Sequence, residues 1–218
     1  MVANFGEAIK RPFTDIKILL IGIVLSIIPI VNWLTYGYFL ECAKTSKKKK
    51  LPEWKEWGSL FVHGLLYLII GIIYFIPALI FLAIGFGKAF FTLMSSGFLI
   101  NYGTTASSEA LMEQLLPILA TNAVFLLIGG ILAIIAMYVI FSAIVNYSKT
   151  YKFSDAFSSK IWKKAFTGRY LLTFIVFLIY AWVVSWILGY IPIVGPAIAS
   201  FIVGVAWFTG FGEIYSKL

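Results

Sequence analysis

From Gly64 to Gly85 the chain reads GLLYLIIGIIYFIPALIFLAIG, twenty-two residues without one charged side chain. A run of that length and continuity is what the hydrocarbon interior of a bilayer demands of a crossing helix. It also rules out an ordinary soluble core as the destination for the segment. The rest of the chain agrees, since 61% of all residues are hydrophobic, only 12% are charged and the mean hydropathy is +0.98. A soluble domain carries charge on about a quarter of its residues. Backbone groups in hydrocarbon must be satisfied internally, so spans are helices or closed barrels. The runs here are continuous rather than alternating, which selects helices.

Charge predicts the layout. Ile16 to Ala43 could form one long helix or two helices turning at Pro29. A single crossing would separate Lys10, Arg11 and Lys17 from Lys44 and Lys47 to Lys50, against the preference of basic residues for the cytoplasmic face. A turn keeps them together. Carried along the chain, this reading gives six spans at roughly 13–28, 29–45, 64–85, 116–146, 168–190 and 192–214. It leaves sixteen of the 17 basic residues in the cytoplasm, with only Lys88 outside. Both termini are then cytoplasmic. The expected fold is an all-α integral membrane bundle of about six transmembrane helices, paired as three hairpins, with amphipathic interfacial helices on the cytoplasmic face. We expect a single membrane domain over 1–218.

Three of these spans open alike, with IPIV at 28–31, LPIL at 116–119 and IPIV at 191–194. Proline suits the first turn of a helix, where its missing N–H would be unbonded anyway. The segments 42–85 and 147–190 also share an order of lysine cluster, amphipathic stretch, glycine and tyrosine, which suggests an internal repeat.

The stretch CAKTSKKKKLPEWKEWGSLF places Lys47, Lys48, Lys49 and Lys50 before Trp54, Trp57 and Phe61. A helix begun at Pro52 would gather Leu51, Trp54, Trp57, Gly58, Phe61 and Val62 on one side, the pattern of an interfacial helix lying on the membrane. The second elbow, KFSDAFSSKIWKKAFTGR, repeats the idea: Phe153, Phe157 and Ile161 share a face, Ser154 could cap, and Lys160, Lys163 and Lys164 supply charge. Phe5 and Ile9 in FGEAI make a third candidate of this kind. Anionic headgroups on the cytoplasmic side are the expected partners, with a membrane-protein partner or a second copy of the chain left open. Nucleic acid is not expected, although a lysine run could contact it.

Little in the chain converges on catalysis. His63 is the only histidine and Cys42 the only cysteine, so neither a disulfide framework nor a multi-cysteine metal site can form within one chain. No nucleophile elbow, phosphate-cradling glycine loop or metalloprotease motif occurs. We therefore expect no enzyme activity, no metal and no cofactor. Polar groups near membrane depth are costly unless paired or functional. Glu41, Asn146, Glu213 and Arg169 fall at the cytoplasmic ends of the spans and could form a polar vestibule, with Asn32 and Asn122 nearer the outer ends. The alternative is that the carboxylates pair with neighbouring basic residues. The outer segment 86–115 is read as a cap or a partner-binding surface, with Glu109 and Glu113 on one helical face and Leu111 and Leu115 on another.

The stretch LPEWKEWGSLFVHG, preceded by IPIVNWLTYGYFLECAK and echoed by IPIVG, resembles the domain-of-unknown-function 4013 family of multi-pass membrane proteins. The resemblance covers nearly the whole chain. It implies a plasma-membrane location and an archaeal source, and it carries no activity and no functional residue. A fainter likeness joins the layout to the membrane portion of some glycerophosphodiesterases, whose catalytic barrel this chain lacks. These readings leave two functions open, a non-catalytic component that organises lipid or a partner protein, and a small transporter or channel.

Overall fold

The computed structural model describes residues 4–95, 108–215 and 217, and every element among them is helical. The helices are α1 (Phe5–Lys10), α2 (Ile16–Ile27), α3 (Trp33–Lys44), α4 (Trp57–Ser95), α5 (Ser108–Thr121), α6 (Ala123–Thr150), α7 (Lys160–Ala165), α8 (Gly168–Leu188) and α9 (Val194–Tyr215). Short 3-10 turns cover Arg11–Thr14 and Phe153–Phe157. Four helices, α4, α6, α8 and α9, are long and apolar enough to cross a membrane.

Local chemistry sets several boundaries. The Asp15 carboxylate accepts the Lys17 and Ile18 N–H groups at 3.0 and 3.1 Å and so starts α2. Thr167 caps α8 by accepting from Tyr170 N–H. The IPIV repeat is a turn rather than a first helical turn. In both copies the isoleucine after proline is left-handed, with φ of 70° at Ile30 and 63° at Ile193. Both turns close with the same bond, from Asn32 N–H to Ile28 O at 2.9 Å and from Gly195 N–H to Ile191 O at 3.0 Å. Proline, with φ fixed near −65°, presets the first corner, and the next residue must absorb the positive φ. The third motif behaves differently: Pro117 lies inside α5, and the break falls at Asn122, so the expected span 116–146 is two helices.

Two lengths depart from expectation. At 12 residues each, α2 and α3 rise about 18 Å, well short of the ~30 Å hydrocarbon layer. In contrast, α4 runs 39 residues, unbroken at Pro77, and rises about 58 Å. Residues 86–95 of the expected outer cap therefore continue α4, and 108–115 begin α5. Residues 96–107 of that segment lie outside the described residues, as do the side chains of Glu109 and Leu111.

The chain forms two compact units, Met1–Gly71 with Tyr138–Leu218, and Ile72–Met137. In the first, α9 packs against α1, α2, α3 and α8 and is the central element. Its most apolar window is 67% buried, against 11 to 17% for the other three long helices. Small residues make this possible. A Cβ at Gly204 would overlap the Phe39 ring of α3, one at Gly210 the Phe177 ring of α8, and one at Gly212 the Ala43 carbonyl. Around them Phe39 stacks on Phe208 at 5.8 Å and Trp207 on Phe211 at 5.8 Å. In the second unit, the Leu82 and Leu126 side chains fill the space beside Gly129 and Gly85, and the Lys88 ammonium stands 4.6 Å above the Phe125 ring.

Candidate functional site

The polar chemistry of the first unit collects where α3 and α9 end. The first elbow forms no helix at Pro52. Leu51 to Glu56 is irregular, and α4 begins at Trp57 after Glu56 takes φ 53°. Proline withholds an N–H and disfavours helical geometry at the residue before it. Trp54 turns toward the protein: it stacks on Tyr38 at 4.1 Å and donates its indole N–H to Ile18 O at 3.2 Å. Tyr38 O–H donates to Pro52 O at 2.8 Å and fixes the loop from the other side. Phe61 is half-buried against Trp33 at 5.4 Å. Trp57 and Lys47 to Lys50 remain exposed.

The second elbow is pinned to α6 along one face. Asn146 donates its amide to Asp155 O at 2.7 Å, Thr150 O–H donates to the Asp155 carboxylate at 2.6 Å, and Tyr138 O–H donates to Ala165 O at 2.6 Å. Ala156, Ile161 and Ala165 are buried beneath these bonds. The opposite face presents Phe153, Phe157, Trp162 and Phe166, which are 38, 40, 47 and 65% exposed, together with exposed Lys160 and Lys163. Ile161 therefore does not share a face with the phenylalanines. Ser154 caps nothing; Ser158 Oγ accepts from Lys160 N–H at 3.4 Å. Lys164 turns inward, 4.0 Å above the Tyr215 ring and 3.3 Å from Tyr215 O. Burial, and secondarily Lys160, lower its pKa.

Glu41, Asn146, Glu213 and Arg169 do not form one vestibule. Glu41 accepts from the Tyr151 hydroxyl, whose ring carries Lys44 at 4.4 Å and His63 stacked at 3.8 Å. His63 Nδ1 also lies 2.7 Å from the Tyr147 hydroxyl. Burial and then Glu41 push the Tyr151 phenol far above its usual range, so it stays a donor. Asn146 holds the second elbow, and Arg169 is exposed at the start of α8. Glu213 accepts from Lys217 at 2.6 Å and from Asn4 N–H at 3.0 Å. Phe5 likewise faces inward, 5.7 Å from Phe177.

The model of a family described as a protein of unknown function, DUF4013, matches residues 20–208. The chain belongs to this family. No curated protein and no solved structure matches it.

The residue that sequence reasoning undervalued in this DUF4013 member is Arg11, which lies outside the matched segment. It is 2% exposed. One terminal nitrogen donates to Cys42 O and Thr209 Oγ1, both at 2.9 Å, and the other to Thr45 O and Thr45 Oγ1 at 2.9 Å and Lys50 O at 3.2 Å. A guanidinium fork suits this task, because it reaches Cys42 O at the end of α3 together with Thr45 O and Lys50 O in the loop beyond it, Thr45 O also accepting from Lys48 N–H at 2.9 Å. Arg11 borders a cavity of about 470 Å³ that Glu213 also lines, whereas Glu41, Asn146 and Arg169 do not. The only hint in the sequence was its position in KRPF, just before an apolar run.

Proposed function

We propose that this protein is a non-catalytic component of an archaeal plasma membrane that organises anionic lipid at its cytoplasmic face. The observation that carries the reading is the second elbow. Four aromatic rings stand exposed beside Lys160 and Lys163 on a segment that α6 holds in place. Aromatic rings and lysines together suit the headgroup boundary, where apolar area and charge are both used. Anionic lipid contributes about 1 kcal/mol per lysine there. Both termini are cytoplasmic in this reading. The six-span, three-hairpin layout keeps its charge logic in modified form: α4, α6, α8 and α9 cross, while α2 and α3 enter and leave from the cytoplasmic face.

Support against a transporter comes from the separate engagement of Glu41, Asn146 and Glu213 by local partners. The test is to excise the protein from mixed membranes in polymer-bounded discs and measure the lipid that accompanies it. Anionic lipid is expected to be enriched over the bulk membrane, and K160Q/K163Q/W162A to lower that enrichment. Equal composition in disc and bulk would remove the proposal. Solute flux in sealed liposomes that Glu41→Gln or Glu213→Gln abolishes would install the transporter reading in its place.

A further inference from the structure

The cavity beside Arg11 has a charge pattern that α3 capping alone does not explain. Among the described residues, ion pairs within contact distance join Lys55 to Glu53 and Lys217 to Glu213, and none involves Arg11. A buried guanidinium without a carboxylate is costly, and helix-end carbonyls offset only part of that cost. Its Nε–H is buried without a hydrogen-bond partner. Three more cations, Lys47, Lys48 and Lys49, line the same space from the loop after α3, and Lys217 lines it from beyond α9. Nothing in the packing of the unit requires these exposed lysines to border one hollow.

Two carboxylates, Glu7 and Glu213, also face the cavity, but Glu213 already accepts from Lys217 and Asn4. The balance stays strongly positive. Clefts lined by one sign of charge concentrate counter-ions, and the volume of about 470 Å³ falls in the range of small-ligand sites. Lysine ammonium groups and the Thr209 hydroxyl are suitable partners for phosphate oxygens, while Arg11 contributes its charge from beneath.

We infer that this cavity is a binding site for one phosphate-bearing group, either the headgroup of an anionic lipid or a soluble phosphate ester. The site is distinct from the exposed aromatic face of the second elbow. It deepens the lipid reading by adding a single, stoichiometric ligand, and rests on that reading only for its lipid source. Arg11 sets the positive floor of the site, and Lys47 to Lys49 close over the ligand from one side.

The experiment uses the full chain in a non-ionic detergent. Native mass spectrometry with phosphatidic acid, phosphatidylglycerol or phosphatidylcholine counts retained lipids, and thermal shift with inorganic phosphate or glycerol phosphate reads soluble ligands. One retained anionic lipid per chain with no response to the soluble phosphates assigns a headgroup. Stabilisation by glycerol phosphate without lipid assigns a soluble ester. In either case K47Q/K48Q/K49Q is expected to weaken binding by more than about tenfold, and the corresponding triple arginine variant to retain it. K160Q/K163Q, which tests the elbow, is expected to leave this one-to-one binding intact. The inference is overturned if neither an anionic phospholipid nor a soluble phosphate binds better than zwitterionic phosphatidylcholine, or if the glutamine triple variant binds as well as the parent while remaining folded. Loss of bulk enrichment with one-to-one binding kept would mark failure of the elbow reading alone.

Discussion

Arg11 shows how much one side chain can settle that its sequence position does not announce. In the sequence it is one of several basic residues before the first apolar run, informative only about topology. The structure makes it the cap of α3 and the floor of a cavity, since its fork reaches Cys42, Thr45, Lys50 and Thr209. No helical spacing links those positions to Arg11, so the sequence could not display the contact. Arg11→Lys keeps the charge but replaces a planar fork with one ammonium, which cannot satisfy so many dispersed acceptors. We expect it to lower stability by about 2–4 kcal/mol, read as a fall in thermal midpoint in a fixed detergent. The left-handed isoleucines lead to the opposite sign. Ile30 and Ile193 are both exposed, so replacing them loses little packing, and a branched residue at positive φ costs about 1–2 kcal/mol. Glycine removes that strain while adding some freedom to the unfolded chain. Ile30→Gly and Ile193→Gly are each expected to raise the thermal midpoint, by a net of about 0.5–1 kcal/mol. A fall at either position would show that its isoleucine is held by contacts outside the chain.

At the scale of elements, α3 and the start of α4 approach each other closely in the first unit. A Cβ on Gly37 would overlap the Leu60 carbonyl, and one on Gly64 would overlap the Trp33 carbonyl, so each glycine admits the other helix's backbone. Small residues serve this purpose between membrane helices, where apolar surface alone gives no preference over lipid. Gly37→Ala and Gly64→Ala are each expected to cost about 2 kcal/mol or more, because backbone rather than a flexible side chain must move. Gly58 is the control. It lies in the first turn of α4 with open space around it, and Gly58→Ala should be neutral or stabilising by up to about 1 kcal/mol. If all three variants melt alike, the close packing of α3 on α4 is wrong. The same elements show what periodicity could and could not reveal. The second elbow's exposed aromatic face was legible in part, because Phe153, Phe157 and the lysines were recognisable as interfacial types. The first elbow was misread as a helix: its pattern of tryptophans fits one, yet Pro52 and the stacking of Trp54 on Tyr38 favour a folded-in loop. Helical periodicity describes a helix only after the backbone has chosen to be one.

For the whole molecule, the apolar composition and uncharged runs made the solvent and the helical class legible, since both follow from the cost of unsatisfied backbone groups in hydrocarbon. Helix lengths were less legible. Residues 86–95 carry glycine and lysine and read as part of an outer cap or partner-binding surface, but Phe86, Phe90 and Met94 continue an exposed apolar stripe and α4 extends through them. The apolar runs of α2 and α3 looked long enough for two short spans, but the turn at 28–32 and the loop after Lys44 leave only 12 helical residues in each. This shortening gives the most discriminating prediction about topology. The α2–α3 turn exposes Ile27, Ile28 and Ile30, whereas the α8–α9 turn exposes Tyr190, Ile191 and Ile193 at the end of helices of 21 and 22 residues. An apolar tip on a pair rising about 18 Å ends within hydrocarbon; a tip on helices rising about 32 Å reaches the far headgroups. Cys42 is the only cysteine and is buried, so Cys42→Ala supplies a silent background. In sealed right-side-out vesicles, Ile193→Cys should react with an impermeant maleimide added outside, while Lys48→Cys and Lys163→Cys should react only after the vesicles are opened. Ile30→Cys should react in neither state and label only with a membrane-soluble reagent. Labelling of Ile30→Cys from outside would mean that α2 and α3 cross completely, with the bilayer thinned around them. Labelling of Lys48→Cys and Lys163→Cys from opposite faces would remove the charge argument for the layout altogether.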